Sequence, residues 1–577
     1  MASKFPFLLN FSFLKTMRSF FKKETWSDVI SNVMPFSKSG KKKPLELPSP
    51  RTLNADEEIS KQYQNHSCSN YMDLKMRFRD VGRMNAIVET LGRDFLTAMP
   101  EGAYKSRLGQ ISFLSRRLHE DLASQEVATL IEKANTHLHK FPDEWDEWDT
   151  ANLHEMEIMY RHHCKVDPEL MEKKAHLSYE GRRRHRAVLR DNDWESAKGF
   201  LQEMIDLQRE IAESKCLADN EHDTDAPYQA LMREYIPGAR LDDVDALFSD
   251  LNVKLKNMLP QIIEKQKTEA PAIPLSGEYP ADLQLWLNKS LLKVIGFDFD
   301  RGGLYETGHN PVEGGTPDDT RLVIKTSNEG NFLESMKSTL HEGGHGLYIQ
   351  GLPRTQWRYQ PVGQDLGAAV QESQALLIEM LLGRKKAFFE YVSPRIEGLF
   401  QDFGDQGMSA DNLYKLKTRV KATPDRKSAD EVTYFFHVDL RTKLERELIG
   451  GRLKVKDLPE AWNEGIYERL GVKPKGYADG CLQDVHWFVG KFGYFPSYTI
   501  GHAMAAQFYA QMRKEIQNIP GLMRTGDFVP IKRWLNEKIH DKGRILRTDD
   551  LVQDITGSSL QSHALINHFE DRYLTAA

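Results

Sequence analysis

The sequence predicts a mainly α-helical protein with very little sheet. From about Ala55 onward, apolar and charged residues recur at spacings of three and four, the pattern of amphipathic helices. Against that background one run, Arg321 to Thr326 (RLVIKT), carries β-branched residues at period two and reads as a strand. The 577 residues suffice for two to four domains, or for one large helical body with a cleft. Hydrophobic residues make up 40% and charged residues 28%, the balance of a soluble globular protein.

Residues 1 to about 52 differ from the rest, and the boundary is set at 54. Met1 to Phe21 is rich in Phe, Leu, Ser and Lys, and the first acid is Glu24. Lys41, Lys42 and Lys43 precede the Pro-rich PLELPSPR. This composition suits an organelle transit peptide or a membrane-surface segment, and equally a disordered extension. A secretory signal fits less well, because Lys15 and Arg18 interrupt the apolar part.

The spacing then predicts helices over Tyr71–Leu91 and Tyr104–His139, parted by a turn at Met99-Pro100-Glu101-Gly102. Phe141–Asp149 is an aromatic break, and Glu195–Lys215 and Asp242–Lys267 are further helices. His162-His163-Cys164 is not expected to bind metal, because adjacent helical residues point in different directions. Arg182–Arg186 (RRRHR) reads as a solvated basic face. Phe297–Asp318, with His309 in its middle, is the least helical stretch. The strand after it is either a structural hairpin edge or an edge to which an extended peptide adds as a further strand.

Next comes the stretch with the most chemistry. His341-Glu342-Gly343-Gly344-His345 reads H-E-x-x-H, and Phe332, Met336 and Leu340 before it have helical spacing. Residues four apart share a helix face, so His341 and His345 can aim two imidazoles at one ion. Glu342 lies where it can hold a water at that ion. Zinc accepts such nitrogen and carboxylate ligands. Gly343 and Gly344 weaken a helix by roughly 1 kcal/mol each, and room for a substrate backbone is one reason for them. By itself the motif is also what a polar helix face shows, so a third ligand is needed. Glu372, 27 residues beyond His345, can supply it from a return helix, and Glu379 competes.

Several motifs together give a family resemblance. HEGGH at 341–345, QESQ at 371–374, RKSADEVTY at 426–434, LQDVHW at 482–487 and GYFPSYTIG at 493–501 occur in the order found in the carboxypeptidase Taq metallocarboxypeptidases. MPEGA at 99–103, DDTR at 318–321, KDLPEAWNE at 456–464 and WLNEKIH at 534–540 support it. The chain resembles that family from about residue 60 to its end.

The resemblance implies a single helical metallocarboxypeptidase domain at 55–577, with a deep active-site cleft and a small β-sheet beside the H-E-x-x-H helix. It implies metal ligands His341, His345 and Glu372, Glu342 as general base, and one divalent ion per subunit, with zinc expected and cobalt and manganese as alternatives. It places Arg426 where a substrate's free carboxylate is read, which suits a bidentate guanidinium. It places Arg321 in the cleft as a second substrate contact, and His486, Tyr494 and Tyr498 at the catalytic centre. The implied activity is broad release of C-terminal residues from peptides by a homodimer.

The chain departs from the family pattern at three places. Gln371 stands for the usual His, Val323 for a Thr, and Asp425 for an Ile. None is a metal ligand or the base. Two rivals use the same helix: an oligopeptidase cutting internal bonds, and a non-catalytic peptide-binding scaffold. An intact Glu342 argues against the scaffold.

Composition bounds the rest. Net charge is −6, which argues against nucleic acid as a partner. No run of 18 apolar residues occurs, so no transmembrane segment is expected. Cys68, Cys164, Cys216 and Cys481 lie far apart without a C-x-x-C pair, which points to a reduced, cytoplasmic setting, with organelle targeting by residues 1–52 as the alternative.

Overall fold

A computed structural model describes residues 67–219, 225–306, 315–326, 332–403 and 407–575. The N-terminal extension, the domain start at 55 and His309 lie outside the described residues. Helices dominate what is described. The expected Tyr71–Leu91 helix is the middle of Ser69–Thr97. The expected Tyr104–His139 stretch is two helices, Tyr104–Leu122 and Gln125–Lys140. The break falls at Ser124, whose side chain accepts from the Val127 amide and caps the second helix. Apolar periodicity continues on both sides of it, so the interruption is hard to see in the sequence.

These helices and Glu147–Cys164 bury Tyr71, Phe78, Leu122, Val127, Leu153 and Met156 in a core of their own. A larger core runs from Val166 to Tyr573. Polar and aromatic contacts join the two. Asn152 donates to Gln360 at 3.1 Å, Gln360 donates to the Lys75 carbonyl at 2.8 Å, and Trp148 stacks on Trp357.

The sheet has three strands: β1 (Gly302–Glu306), β2 (Gly315–Thr316) and β3 (Asp319–Ile324). Their order is β1-β3-β2. β1 runs parallel to β3, with Gly302 opposite Thr320, and β2 pairs antiparallel at Gly315 and Thr316. The expected strand is therefore present, flanked by β1 over Thr320–Ile324 and by β2 only at Asp319 and Thr320. β1 arises in the stretch read as irregular, where Gly302-Gly303 hides it from a propensity reading.

Beside the sheet lies the Phe332–Gly351 helix, which carries the H-E-x-x-H motif and is buried over most of its length. It packs on Ala368–Leu376, which packs in turn on Pro496–Glu515. Gly344 permits the first crossing. A Cβ there would lie 2.5 Å from the Gln374 carbonyl oxygen, and one on Gly343 would strike Leu292. The paired glycines thus serve helix packing, and the expected room for a substrate backbone is not their reason. Among the described residues no helix is long and apolar enough to cross a membrane.

Candidate metal centre and active site

His341 and His345 sit one turn apart on the buried helix, with ring centroids 5.0 Å apart. Their Nε2 atoms face the two oxygens of Glu372, at 3.8 Å and 3.7 Å. Glu372 comes from the Ala368–Leu376 helix, so two crossing helices build the cluster. The three ligand atoms lie within 4.8 Å of one another, and this is the one such metal-ligating group among the described residues. Two imidazoles and a carboxylate aimed at one point fit a divalent ion. Glu342 is buried, one position round the same helix, and lines the same cavity.

Glu379 is not in that cluster. It lies on a π-helical turn, Leu377–Leu382, that continues the Glu372 helix. Its Oε2 is 3.0 Å from His341 Nδ1, the ring nitrogen that does not face Glu372. Arg384 donates to its other oxygen at 2.7 Å. Burial alone would raise this carboxyl, but Arg384 and His341 hold it well below its usual range. Glu379 therefore orients His341 through an ionised hydrogen bond. Sequence reasoning weighed it only as a competing ligand. Gln371 meets the other imidazole, its Oε1 lying 3.3 Å from His345 Nδ1. The substituted position thus touches a metal ligand. Gln374, the last residue of the same motif, has Oε1 3.0 Å from His540 Nε2, which ties in the WLNEKIH segment.

A cavity of about 430 Å3 opens at the cluster. His341, Glu342, Glu372, Arg426, His486, Tyr494 and Tyr498 all line it, and so does Tyr434, which sequence reasoning did not single out. Arg426 lies on the short turn Arg426–Ser428, capped by the side chain of Asp425. The departure from Ile at 425 is thus a turn cap. Arg426 donates from Nε and Nη2 to Asp484 Oδ1, at 3.0 Å and 2.8 Å, and from Nη1 to the Tyr434 hydroxyl at 2.7 Å. Burial opposes ionisation of Asp484, but Arg426 and Arg441 keep its carboxyl well below the usual range. Arg441 donates to the other oxygen at 2.6 Å.

His486 Nε2 lies 3.1 Å from the Tyr498 hydroxyl. Burial pushes the His486 imidazole well below its ordinary value, so it is neutral at neutral pH. Burial likewise holds the Tyr498 phenol well above its ordinary value.

Two sequence-based readings differ from the structure. Arg321 does not line this cavity. Strand alternation turns it to the exposed face of β3, between buried Thr320 and Leu322, and both arms of its fork go to Asp319. The RRRHR run is only partly a solvated face, since Arg182 lines the cavity and His185 is buried, bonded to the Leu482 carbonyl. Val323 is buried, in β3.

An H-E-x-x-H helix with a carboxylate placed as the third member of its cluster is the arrangement of a metallopeptidase. The family match narrows this further. A family model described as carboxypeptidase Taq (M32) metallopeptidase matches residues 73–573. The chain belongs to that family and is a carboxypeptidase, a hydrolase of peptide bonds. Thermostable carboxypeptidase 1 of Thermus thermophilus is 32% identical over 509 residues, covering 87% of this chain and 98% of the relative. The Pyrococcus furiosus protein of that name is 30% identical over 520 residues, covering 89% and 99%. Among solved structures, Trypanosoma cruzi metallocarboxypeptidase 1 superposes with a TM-score of 0.81 at 31% identity, over 88% of this chain and all of that one.

Proposed function

We propose that this chain releases single residues from the C-termini of peptides of varied sequence, using one zinc ion held by His341, His345 and Glu372. The observation that carries the reading is a shared cavity. His341, Glu372, Glu342, Arg426, His486 and Tyr498 line one space of peptide size, and His345 completes the His-His-Glu cluster beside it. When bound, a divalent ion supplies Lewis acidity to the peptide carbonyl and to water.

The chain's own groups do the rest. Glu342 takes a proton from the attacking water and delivers it to the leaving amine. In the bonded pair His486–Tyr498 one proton lies between the two side chains and the other is left to donate to the oxyanion as it forms, and Tyr494 closes the wall beside them. Arg426 reads the substrate's terminal carboxylate. A guanidinium has five N–H donors. Three are engaged with Asp484 and Tyr434, which leaves one on each Nη to face the cavity. Arg321 has no part in this reading.

The protein works on peptides as a cytoplasmic homodimer, and residues 1–54 are an appendage to the catalytic domain at 55–577. Replacing Glu342 by Gln tests the mechanism. The variant should keep its metal and lose turnover, and near-parental hydrolysis would refute the assigned base.

A further inference from the structure

Glu445 is a fully buried carboxyl outside the metal cluster. It lies on the Tyr434–Ile449 helix, which also carries Tyr434 and Arg441. Three donors converge on it. Trp487 Nε1 donates to Oε1 at 2.9 Å, the Gly493 amide donates to Oε2 at 3.0 Å, and the Tyr228 hydroxyl lies 3.1 Å from Oε2. Trp487 follows His486 in the chain and Gly493 precedes Tyr494. The segment between them doubles back through a short 3-10 turn and the left-handed Gly490. Both ends of that loop therefore meet on one carboxyl group.

The loop has little freedom to meet it elsewhere. Gly493 has φ +83°, and a Cβ there would lie 2.6 Å from the Met232 amide nitrogen. Its backbone is pressed onto the Ala226–Met232 helix, which also supplies Tyr228. Trp487 is wedged edge-on against Trp462.

We propose that Glu445 is a positioning residue that clamps the two ends of the Trp487–Gly493 loop and so sets His486 and Tyr494 at the reacting carbonyl. This rests on the catalytic placement of His486 and Tyr494 given above. The clamp holds in both protonation states. Burial pushes the Glu445 carboxyl up to about 8, against the hydrogen bonds and nearby Arg441. As a carboxylate it accepts from all three donors. As an acid it donates from Oε2 to the Tyr228 oxygen and still accepts from Trp487 and Gly493. Tyr228 and Tyr235, whose phenols are held up by burial and by Glu445 among their neighbours, and Arg441 are charged or titratable groups around it.

An amide cannot reproduce this. In Glu445→Gln, one of the Trp487 and Gly493 N–H groups must face the new NH2, donor against donor. The test compares full-length, metal-loaded parent, Glu445→Gln, Trp487→Phe, Tyr228→Phe, His486→Ala and the Glu445→Gln/His486→Ala double variant on one free-acid peptide. A displacement of the order of 1 Å at the reacting groups costs roughly a hundredfold. Glu445→Gln should therefore lose ten- to a hundredfold in kcat, with KM and metal content within twofold of the parent. Trp487→Phe should show a smaller loss of the same kind, and it decides the matter if Glu445→Gln does not fold. Tyr228→Phe, which spares both clamp bonds, should stay within threefold of the parent. In the His486→Ala background the Glu445→Gln loss should shrink to below threefold. An unchanged kcat in Glu445→Gln or Trp487→Phe, with only a lower melting temperature, overturns the proposal. So does full additivity of the two losses. A parental rate for His486→Ala instead refutes the placement of His486, and is told apart by that variant alone.

Discussion

Glu379 Oε2 stands 3.0 Å from His341 Nδ1, and Arg384 holds the same carboxylate from its other side. The imidazole is thereby fixed with its Nε2 toward Glu372. A carboxylate in this position strengthens the ligand and locks its tautomer, and its loss typically costs ten- to a hundredfold in metal affinity. Glu379→Gln should thus bind zinc ten- to a hundredfold more weakly, measured by competition with a coloured chelator. Removal of a direct ligand in Glu372→Ala should be worse, with metal lost on dialysis. If Glu379→Ala loses the ion and Glu372→Ala keeps it, the two roles are exchanged.

Gln371 gives His345 a neutral acceptor, where His341 has an ionised one. Gln371→Leu should weaken zinc binding less than Glu379→Gln does, because a neutral hydrogen bond is about half as strong as a charged one. The same chelator titration reads this, and an effect larger than that of Glu379→Gln would contradict it.

How much of this was legible in the sequence follows from chain distance. His341 and His345 are four residues apart, so one helix rule pairs them. Gly344 was visible, but its reason, the Gln374 backbone on another helix, was not. Glu379 and Glu372 are seven residues apart, two helical turns, and spacing could not separate ligand from orienter. Two partners of Arg426, Asp484 and Gln483, lie more than fifty residues on, and no local pattern announces them. β1 was missed because its first two residues are glycines. Glu445 looked like any acid on a charged helix, and only its burial distinguishes it. The one signal that reached across such distances was the ordered set of motifs shared with the family.

Arg426→Ala should cost ten- to a hundredfold in kcat/KM for free-acid peptides, since a charged contact of this kind is worth about 1.5–3 kcal/mol. Asp484 keeps Arg441 at 2.6 Å, so the variant leaves it no unpaired buried charge. Lys should rescue only in part, having lost the fork. Amidated peptides should lose little more than they already do with the parent. Equal losses on both kinds of peptide would make Arg426 structural.

Acid stability should be governed first by buried histidines. Burial holds His163, His540 and His568 down to about 3 and His502 to about 4. In the unfolded chain each titrates near 6.5. Between pH 6.5 and about 4 the unfolded chain binds protons that the folded chain does not, so stability falls as pH falls through that window. Glu379, with its lowered carboxyl, begins to lose its stabilising ionisation only near its ordinary 4.5. Melting temperatures of the metal-free protein should therefore start to drop below pH 6.5. A flat profile down to pH 4.5 would show that these side chains charge without unfolding.

The most direct measurement is mass spectrometry of the products from one peptide in two forms, with a free and with an amidated C-terminus. Parent, chelator-treated parent and Glu342→Gln should be run side by side. The account expects a ladder of single-residue losses from the free-acid peptide with the parent alone. It expects almost no product from the amidated peptide, and restoration of the chelated sample, but not of Glu342→Gln, by zinc. Internal fragments from both peptides at similar rates, or a ladder that survives the chelator or the Glu342→Gln change, would contradict it.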